Sequence, residues 1–266
     1  MEKVKDDGML SGAAEDPRFM TSLARGLDVL SLFEGQTSLT VTQAAKGTGL
    51  SRSSVARCLY TLEQLGYVAA DGPAYRLRPA LLPLLRAYAS SDPLARNGQP
   101  VVEAVRDRLN ESCSLAMFDT RRAHDTVIYI CRAETSRIIS VPLLIGSTLP
   151  SYCTSIGRIL LAALPMAERA RYLASAPFPA RTPRTLTQAE ELAAELGRIQ
   201  QQNWAMTDGE LEAGLRSIAV PIRHANGHVV AAINLATQAT HRSLAWLTET
   251  ALPELQAAAA HLARVV

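Results

Sequence analysis

Residues 40–66 read Thr40-Val-Thr-Gln-Ala-Ala-Lys-Gly-Thr-Gly-Leu-Ser-Arg-Ser-Ser-Val-Ala-Arg-Cys-Leu-Tyr-Thr-Leu-Glu-Gln-Leu-Gly66, and they decide the fold of the N-terminal third. Thr40 followed by Gln43 is a capping box, which predicts a helix start. Val41, Ala44 and Ala45 give that helix a small apolar face. Gly47 and Gly49 are expected to end it, because glycine takes left-handed backbone angles at little cost. Ser51 is the expected N-cap of a second helix. Val55, Leu59 and Leu62 fall at i, i+4 and i+7, a buried stripe that Leu65 extends. The opposite stripe is Ser53, Arg57, Tyr60 and Gln64, with Arg52 and Ser54 at the helix start. A helix N-terminus with short polar side chains and positive charge suits a DNA major groove.

A plain helical hairpin is the competing reading, and the flanking residues weigh against it. Upstream, Leu23, Leu27 and Leu30 form one apolar stripe, widened by Val29 and Phe33, with Ser22 as expected N-cap and Gly35 as the stop. Phe19 and Met20 precede it, to pack either on a second subunit or back on their own domain. Downstream, Gly66 to Arg78 reads as two short strands about an Asp71-Gly72 turn. A hairpin directly after a recognition helix is a wing. Arg76 and Arg78 make one face of its second strand basic, and Leu77 between them is expected to face the core. Lys46, Arg52, Arg57, Arg76 and Arg78 outnumber Glu63 and Asp71 here, a modest local positive patch. The expected organisation is a disordered tail over 1–16, a winged helix-turn-helix over 17–80, a linker helix over 81–96 and a second domain over 97–266.

The whole chain is not a polycation: 27 Lys and Arg face 25 Asp and Glu, for a net charge of +2 over 266 residues. That balance fits a sequence-reading module rather than a nonspecific nucleic-acid coat. The cysteines Cys58, Cys113, Cys131 and Cys153 form no CxxC pair, which argues against a zinc site or a disulfide framework. No apolar run approaches the length of a membrane span, so a cytoplasmic protein without a membrane partner is expected.

From Ser112 the character changes to α+β, with helices flanking an antiparallel sheet. Ser112–Asp119, Thr126–Ala133 and Arg137–Leu144 are β-rich between turns. Leu215–Arg223 and His228–Ala236 are strand-like runs joined near Asn226-Gly227. Residues Arg96 to Pro100 read as a loop, Pro100–Leu109 and Thr154–Leu164 as helices. Thr187-Gln-Ala-Glu190 is a capping box for a helix to about Gln202. A last helix spans Ser243–Ala263, kinked or divided by Pro253.

No HExxH, GxSxG, P-loop or SxxK motif occurs. Gly47-Thr-Gly49-Leu-Ser-Arg52 has arginine where a dinucleotide fingerprint needs glycine. The five histidines are dispersed; His224 and His228 face each other across the Asn-Gly hairpin, where a solvated turn is the simpler reading than a metal pair. Cys153 before a helix start is a candidate for a lowered pKa but lacks an evident His or Asp partner. No catalytic residue, cofactor or metal is expected. A small-molecule site is. Gly146-Ser-Thr-Leu-Pro150-Ser-Tyr152-Cys-Thr154 leads into a helix whose first N–H groups suit a carboxylate. Asp208, Ser217 and Asn234 are polar residues on or beside otherwise apolar strands. Arg132, Arg137 and Arg158 are candidate partners for the ligand charge, each with a surface position as the alternative.

The chain resembles the IclR family of bacterial transcriptional regulators along nearly its full length. The resemblance rests on Ser22-Leu23-x-Arg25-Gly26-Leu27-x-Val29-Leu30-x-x-Phe33, Gly49-Leu50-Ser51-Arg52-Ser53-Ser54-Val55-x-Arg57 and Thr61-Leu62-Glu63-x-Leu65-Gly66-Tyr67. In the second half it rests on Gly146, Pro150, Thr154-Ser155-x-Gly157-Arg158-x-Leu160-Leu161-Ala162, and Asp208-x-Glu210-x-x-x-Gly214-x-x-x-Ile218-Ala219-x-Pro221. It implies a winged helix-turn-helix, a linker helix and a GAF-like effector domain. It also implies homodimers or homotetramers that bind double-stranded operator DNA. Pro150–Ala162 and the strand ending at Asn234 look most like the branch controlling hydroxybenzoate, protocatechuate and β-ketoadipate pathways, which implies a small organic acid as effector, an aromatic one. The DNA contacts then fall to Arg52, Ser53, Ser54, Arg57, Tyr60 and Arg76. The effector contacts fall to Gly146, Pro150, Tyr152, Thr154, Asp208, Ser217 and Asn234. Ala56 departs from the larger side chain common in the family, and Asn234 and Ala236 stand where many members have serines.

Overall fold

The computed structural model describes residues 16–135 and 143–266. The expected tail, apart from Asp16, and most of the expected strand at Arg137–Leu144 lie outside the described residues; Leu143 and Leu144 are not in a strand. Close contacts divide the chain into two compact units between Ala89 and Ser90.

The first unit holds α1 (Thr21–Ser31), β1 (Leu39–Thr40), α2 (Val41–Thr48), α3 (Arg52–Gln64), β2 (Val68–Asp71) and β3 (Ala74–Leu77). Its small core is Val29, Phe33, Leu39, Ala44, Val55, Leu59 and Val68. The Thr40 capping box closes as read: Gln43 N–H donates to the Thr40 hydroxyl and the Gln43 side chain accepts from Thr40 N–H. Ser51 caps α3 by accepting from Ser54 N–H at 3.2 Å. The two glycines divide their work. Gly49 ends α2 with φ 75°, while Gly47 lies inside it, where a Cβ would sit 2.7 Å from Leu32 Cδ1. Other details differ from the sequence reading. Met20, not Ser22, occupies the N-cap position of α1 and makes no side-chain cap. Leu65 is exposed, because α3 ends at Gln64 before the stripe is completed. Leu77 is exposed as well, and Tyr75 packs on the core in its place. β1 adds a third strand beside β3, giving the order β1-β3-β2. Two residues carry no periodicity from which to read a strand.

α4 (Leu82–Ser91) follows a 3₁₀ turn at Pro79–Leu81 and carries the dividing point. The expected loop at Arg96–Pro100 is helix: α5 runs unbroken from Pro93 to Leu109. Asp92 caps it through Ala95 N–H at 2.8 Å, and Gly98 lets it lie against the sheet, where a Cβ would meet Cys131 Sγ and Leu115 Cδ2, each at 2.8 Å. Loop-forming composition was overridden by this packing.

The sheet of the second unit comprises β4 (Ser112–Phe118), β5 (Thr126–Ala133), β6 (Thr148–Pro150), β7 (Ala205–Asp208), β8 (Leu215–Arg223) and β9 (Val229–Gln238). All pairs are antiparallel, in the order β6-β5-β4-β9-β8-β7. The helices are α6 (Ser155–Ala163), α7 (Met166–Leu173), α8 (Ala189–Gln202), α9 (Leu244–Trp246) and α10 (Leu252–Leu262). One sheet face, with Cys113, Leu115, Ile218, Val220 and Ile233, packs on α5 and α10. The other, with Ala116, Tyr129, Ala219 and Ala232, packs on α6 and α8. The short β6, β7 and α7 were not legible in the sequence. α8 starts without the expected Thr187 box: Gln188 is its N-cap and makes no side-chain cap. The β8–β9 hairpin closes on His224 N–H to His228 O at 2.8 Å, so the turn is longer than a two-residue Asn-Gly connection. Leu247–Ala251 is a π-turn ahead of Pro253. The proline lacks an N–H and its ring would press on the carbonyl four residues back, and the wider turn relieves both.

Candidate functional site

The first unit presents one polar helix face. The buried stripe Val55 and Leu59 turns the opposite side of α3 to solvent, and Arg52, Ser53, Arg57 and Tyr60 are exposed there. Arg52 and Arg57 have no charged partner among the described residues. Ser54 is half-buried, and its hydroxyl and that of Ser53 each lie 3.0 Å from Ser51 Oγ, so both belong first to the helix cap. Arg76 on the wing is paired with Asp71 at 2.7 Å. Both partners are largely exposed, and such a pair is weak enough to yield to a phosphate.

The second unit contains a cavity of about 40 Å³ between the α6 face of the sheet and the start of α6. Its polar wall is Arg132, Thr154, Ser155, Thr207, Ser217 and Asn234; its apolar wall includes Leu143, Leu149, Leu211 and Leu215. Sheet register explains the convergence. Ser114 on β4 lies opposite Arg132 on β5 and Asn234 on β9, and Thr207 on β7 lies opposite Ser217 on β8. Directly opposed residues share a sheet face. Asn234 Nδ2 donates to Ser217 Oγ at 2.9 Å, and Ser217 Oγ lies 2.6 Å from Ser155 Oγ. Asn234 Oδ1 is buried and has no hydrogen-bond partner among the described residues. An unpaired buried carbonyl is costly, and a cavity beside it offers a place for a donor.

The register on β5 contains one irregularity. Leu115 pairs with Cys131 but Ala116 pairs with Tyr129, so Ile130 is an extra residue in the strand. Three positions apart, Tyr129 and Arg132 would face opposite sides of a regular strand. The bulge brings both to the cavity, with the Arg132 guanidinium carbon 5.9 Å from the Tyr129 ring centroid. Burial pushes the Tyr129 hydroxyl up to about 12 and the Cys153 thiol, also in the wall, up to about 11. The lowered pKa expected for Cys153 is therefore reversed: loss of water outweighs the nearby Arg181 and Arg158.

Of the residues expected to meet a ligand, Thr154, Ser217 and Asn234 line this cavity. Thr154 is also the N-cap of α6, donating to Pro150 O at 2.8 Å and accepting from Gly157 N–H at 3.2 Å. Gly146 and Pro150 shape the approach without lining it; Gly146 turns with φ 90° and donates to Tyr129 O at 2.8 Å. Tyr152 does not close over the cavity. Its hydroxyl donates to Pro179 O at 2.6 Å and its ring stacks on Phe178, with centroids 5.0 Å apart. Asp208 follows Thr207 on the strand and so lies on the other side of the sheet. It accepts from Arg216 Nε at 2.8 Å and from Arg184 at 2.7 Å. Sequence reading gave Ser155, Thr207 and Tyr129 no role; strand register brings Thr207 and Tyr129 to the cavity face, and the packing of α6 on the sheet brings Ser155 to Ser217.

Arg158 is buried, not on the surface. It donates from Nη1 to Glu210 Oε1 and from Nε to Tyr152 O, both at 2.8 Å, and pairs with Glu210 again through Nη2. Glu210 O in turn accepts from the Thr185 hydroxyl at 2.7 Å. The approach to the cavity is thereby tied to the turn between β7 and β8. No group of histidine, cysteine or acidic residues among the described residues is placed to hold a metal ion. Among the same residues, no helix is long and apolar enough to cross a membrane.

Residues 22–72 match the profile of the IclR helix-turn-helix domain, and residues 86–264 match that of the bacterial transcriptional regulator IclR C-terminal domain. The chain is 45% identical over 249 residues to the Pca regulon regulatory protein of Pseudomonas putida, covering 93% of this chain and 84% of that protein. A crystal structure assigned as a transcriptional regulator from Rhodococcus sp. RHA1 superposes with a TM-score of 0.78 at 38% identity, over 92% of this chain and 98% of the other. An IclR homologue from Microbacterium hydrocarbonoxydans, crystallised with 4-hydroxybenzoate, superposes with a TM-score of 0.76 at 26% identity, over 91% and 98%. With both halves matched in order, and a helix-turn-helix unit and a sheet domain to account for them, this chain belongs to the IclR family of bacterial transcriptional regulators.

Proposed function

We propose that this protein regulates genes of aromatic-acid catabolism and responds to a small organic acid, an aromatic one, bound in the cavity beside α6. The observation that carries the reading is the unpaired Asn234 Oδ1, buried in a wall shared with Ser217 and Ser155. A ring hydroxyl is a suitable donor to it. The Pseudomonas putida relative, by its name a regulator of a pca regulon, and the 4-hydroxybenzoate-bound homologue both support the choice of ligand class. In the first unit, Arg52, Arg57 and Tyr60 are positioned to meet operator bases or phosphates, with Ser53, Ser54 and Arg76 beside them.

At about 40 Å³ the cavity is smaller than a benzoic acid. Ligand entry must widen the cavity, and the ligand thereby prefers one conformation over another, which is what a switch requires. The narrowness also favours a second reading, a slender aliphatic acid. Calorimetry and thermal melting of the full chain with 4-hydroxybenzoate, protocatechuate, adipate and 3-oxoadipate separate the two. A ligand at 100 times its Kd stabilises the fold by about 2.7 kcal/mol. That stabilisation is expected to shrink in Ser217→Ala plus Asn234→Ala, with DNA binding retained in the absence of ligand. No heat and no melting shift with any of the four acids would overturn the proposal.

A further inference from the structure

We infer that Arg132 is the residue that anchors the effector's carboxylate, an inference that rests on the cavity being the acid site. The candidates for that charge are few. Arg158 has its guanidinium spent on Glu210 and Tyr152 O. Arg216 lies opposite Asp208, on the sheet face away from the cavity, and bonds there to Asp208, Ala239 O and Arg242 O. Arg137 lies outside the described residues. Arg132 lines the cavity and its side chain is only 6% exposed.

The rest of the fold holds this arginine in place. The backbone of Arg132 is clamped by Gln99 of α5, which donates to Arg132 O at 2.9 Å and accepts from Arg132 N–H at 3.1 Å. β6 pairs with Thr126, Val127 and Ile128, and at the level of Arg132 Gln99 takes the place of a neighbouring strand. Its guanidinium donates through Nε to Glu134 at 2.8 Å and through Nη1 to Ser114 Oγ at 2.9 Å. Nη2 has no partner among the described residues. Nη2 is therefore left to donate to a ligand, and a guanidinium takes a carboxylate through bonds from two of its nitrogens. Among the described residues this buried cation has a single counter-ion, itself half exposed, and it is short of negative charge. The β5 bulge at Ile130 completes the arrangement by setting the Tyr129 ring beside the guanidinium on the cavity side.

Register places Arg132 and Asn234 on either side of Ser114, on the same face of the sheet. The cavity thus carries an anion anchor and a hydrogen-bond acceptor two strands apart. A molecule with a carboxylate at one end and a polar group at the other spans them.

The test compares each acid with its neutral amide on the full-length protein, by calorimetry: 4-hydroxybenzoate against 4-hydroxybenzamide, and adipate against adipamide. Wild type is expected to prefer the acid. Arg132→Met is expected to weaken the acid by roughly 30-fold or more while leaving the amide nearly unchanged, so that the preference collapses. Arg132→Lys keeps the charge but loses the fork, and an intermediate loss confined to the acid is expected. It is the reporting variant if Arg132→Met does not fold, as judged by its melting curve and its DNA binding. Equal losses for acid and amide, an unchanged acid Kd in either variant, or a wild type that binds amide as well as acid would overturn the assignment of Arg132 while leaving the cavity as the site. No heat from either acid with wild type would instead overturn the reading of the cavity, and this inference with it.

Discussion

Arg158 and Glu210, 52 residues apart, form a two-point ion pair inside the second unit, with Arg158 only 1% exposed. Neither residue is placed by local sequence; the pair exists because α6 and the turn after β7 meet on one sheet face. Removing one partner of such a pair leaves an uncompensated buried charge and costs about 3–5 kcal/mol. Glu210→Ala is expected to lower the melting temperature accordingly. Arg158→Met combined with Glu210→Leu is expected to recover most of the loss, because neither charge remains. A double variant as unstable as the sum of the two single ones, by urea titration, would show that the pair is not the source.

The exposed face of α3 yields a prediction on DNA. Arg57→Ala is expected to weaken operator binding by about 1–3 kcal/mol if Arg57 makes a bidentate base contact. If it meets only phosphate, affinity falls evenly across sequences and the salt slope drops by about one. A mobility-shift titration at several salt concentrations separates the two outcomes, and unchanged affinity would remove Arg57 from the interface.

α1 leaves Met20, Leu23 and Leu27 exposed on one side, while Phe19 is half-buried. A single recognition helix reads too few base pairs for useful specificity, so two copies about one helical turn apart are expected on the operator. Leu23→Glu plus Leu27→Glu is expected to abolish paired binding and to lower the mass seen by light scattering on DNA. Unaltered mass and affinity would place the subunit contact elsewhere.

Asp208 carries a pH-dependent share of stability. The hydrogen bond from Arg216, then the charges of Arg216 and Arg184, hold its carboxyl below its usual 3.8. A carboxyl depressed in the folded state stabilises the fold above its unfolded pKa and loses that contribution as pH falls through the folded one. The stability difference between wild type and Asp208→Asn is therefore expected to be level from neutral pH down to about 4 and to shrink below that. Urea titrations at stepped pH read it directly. A difference that grows on acidification would contradict the sign.

The helix-turn-helix was legible because its determinants are local. A capping box at Thr40, a cap at Ser51, the left-handed Gly49 and the Val55–Leu59 spacing each act within a few residues, and the structure has each of them. The strands from Ser112, Thr126 and Leu215 were legible for the same reason. Where composition and packing disagreed, packing prevailed: Gly98 and Pro100 read as a loop, but the missing Cβ of Gly98 is what lets α5 approach Cys131.

The ligand cavity was only partly legible. Ser217 and Asn234 were conspicuous as polar residues on apolar strands, and both line it. Asp208 was equally conspicuous but belongs to the other side of the sheet, since strand alternation gives that side of β7 to Asp208 and the cavity to Thr207. The extra residue at Ile130 turns Tyr129 and Arg132 to the same side, and only the pairing of β5 with β4 reveals it. Sequence by itself determined the family, the caps at Thr40 and Ser51 and the Val55–Leu59 stripe, because these are set by neighbours along the chain. Tertiary structure alone decided which arginine is spent on an ion pair and which keeps a nitrogen to donate to a ligand, because partners for a charge are found across strands and not along them.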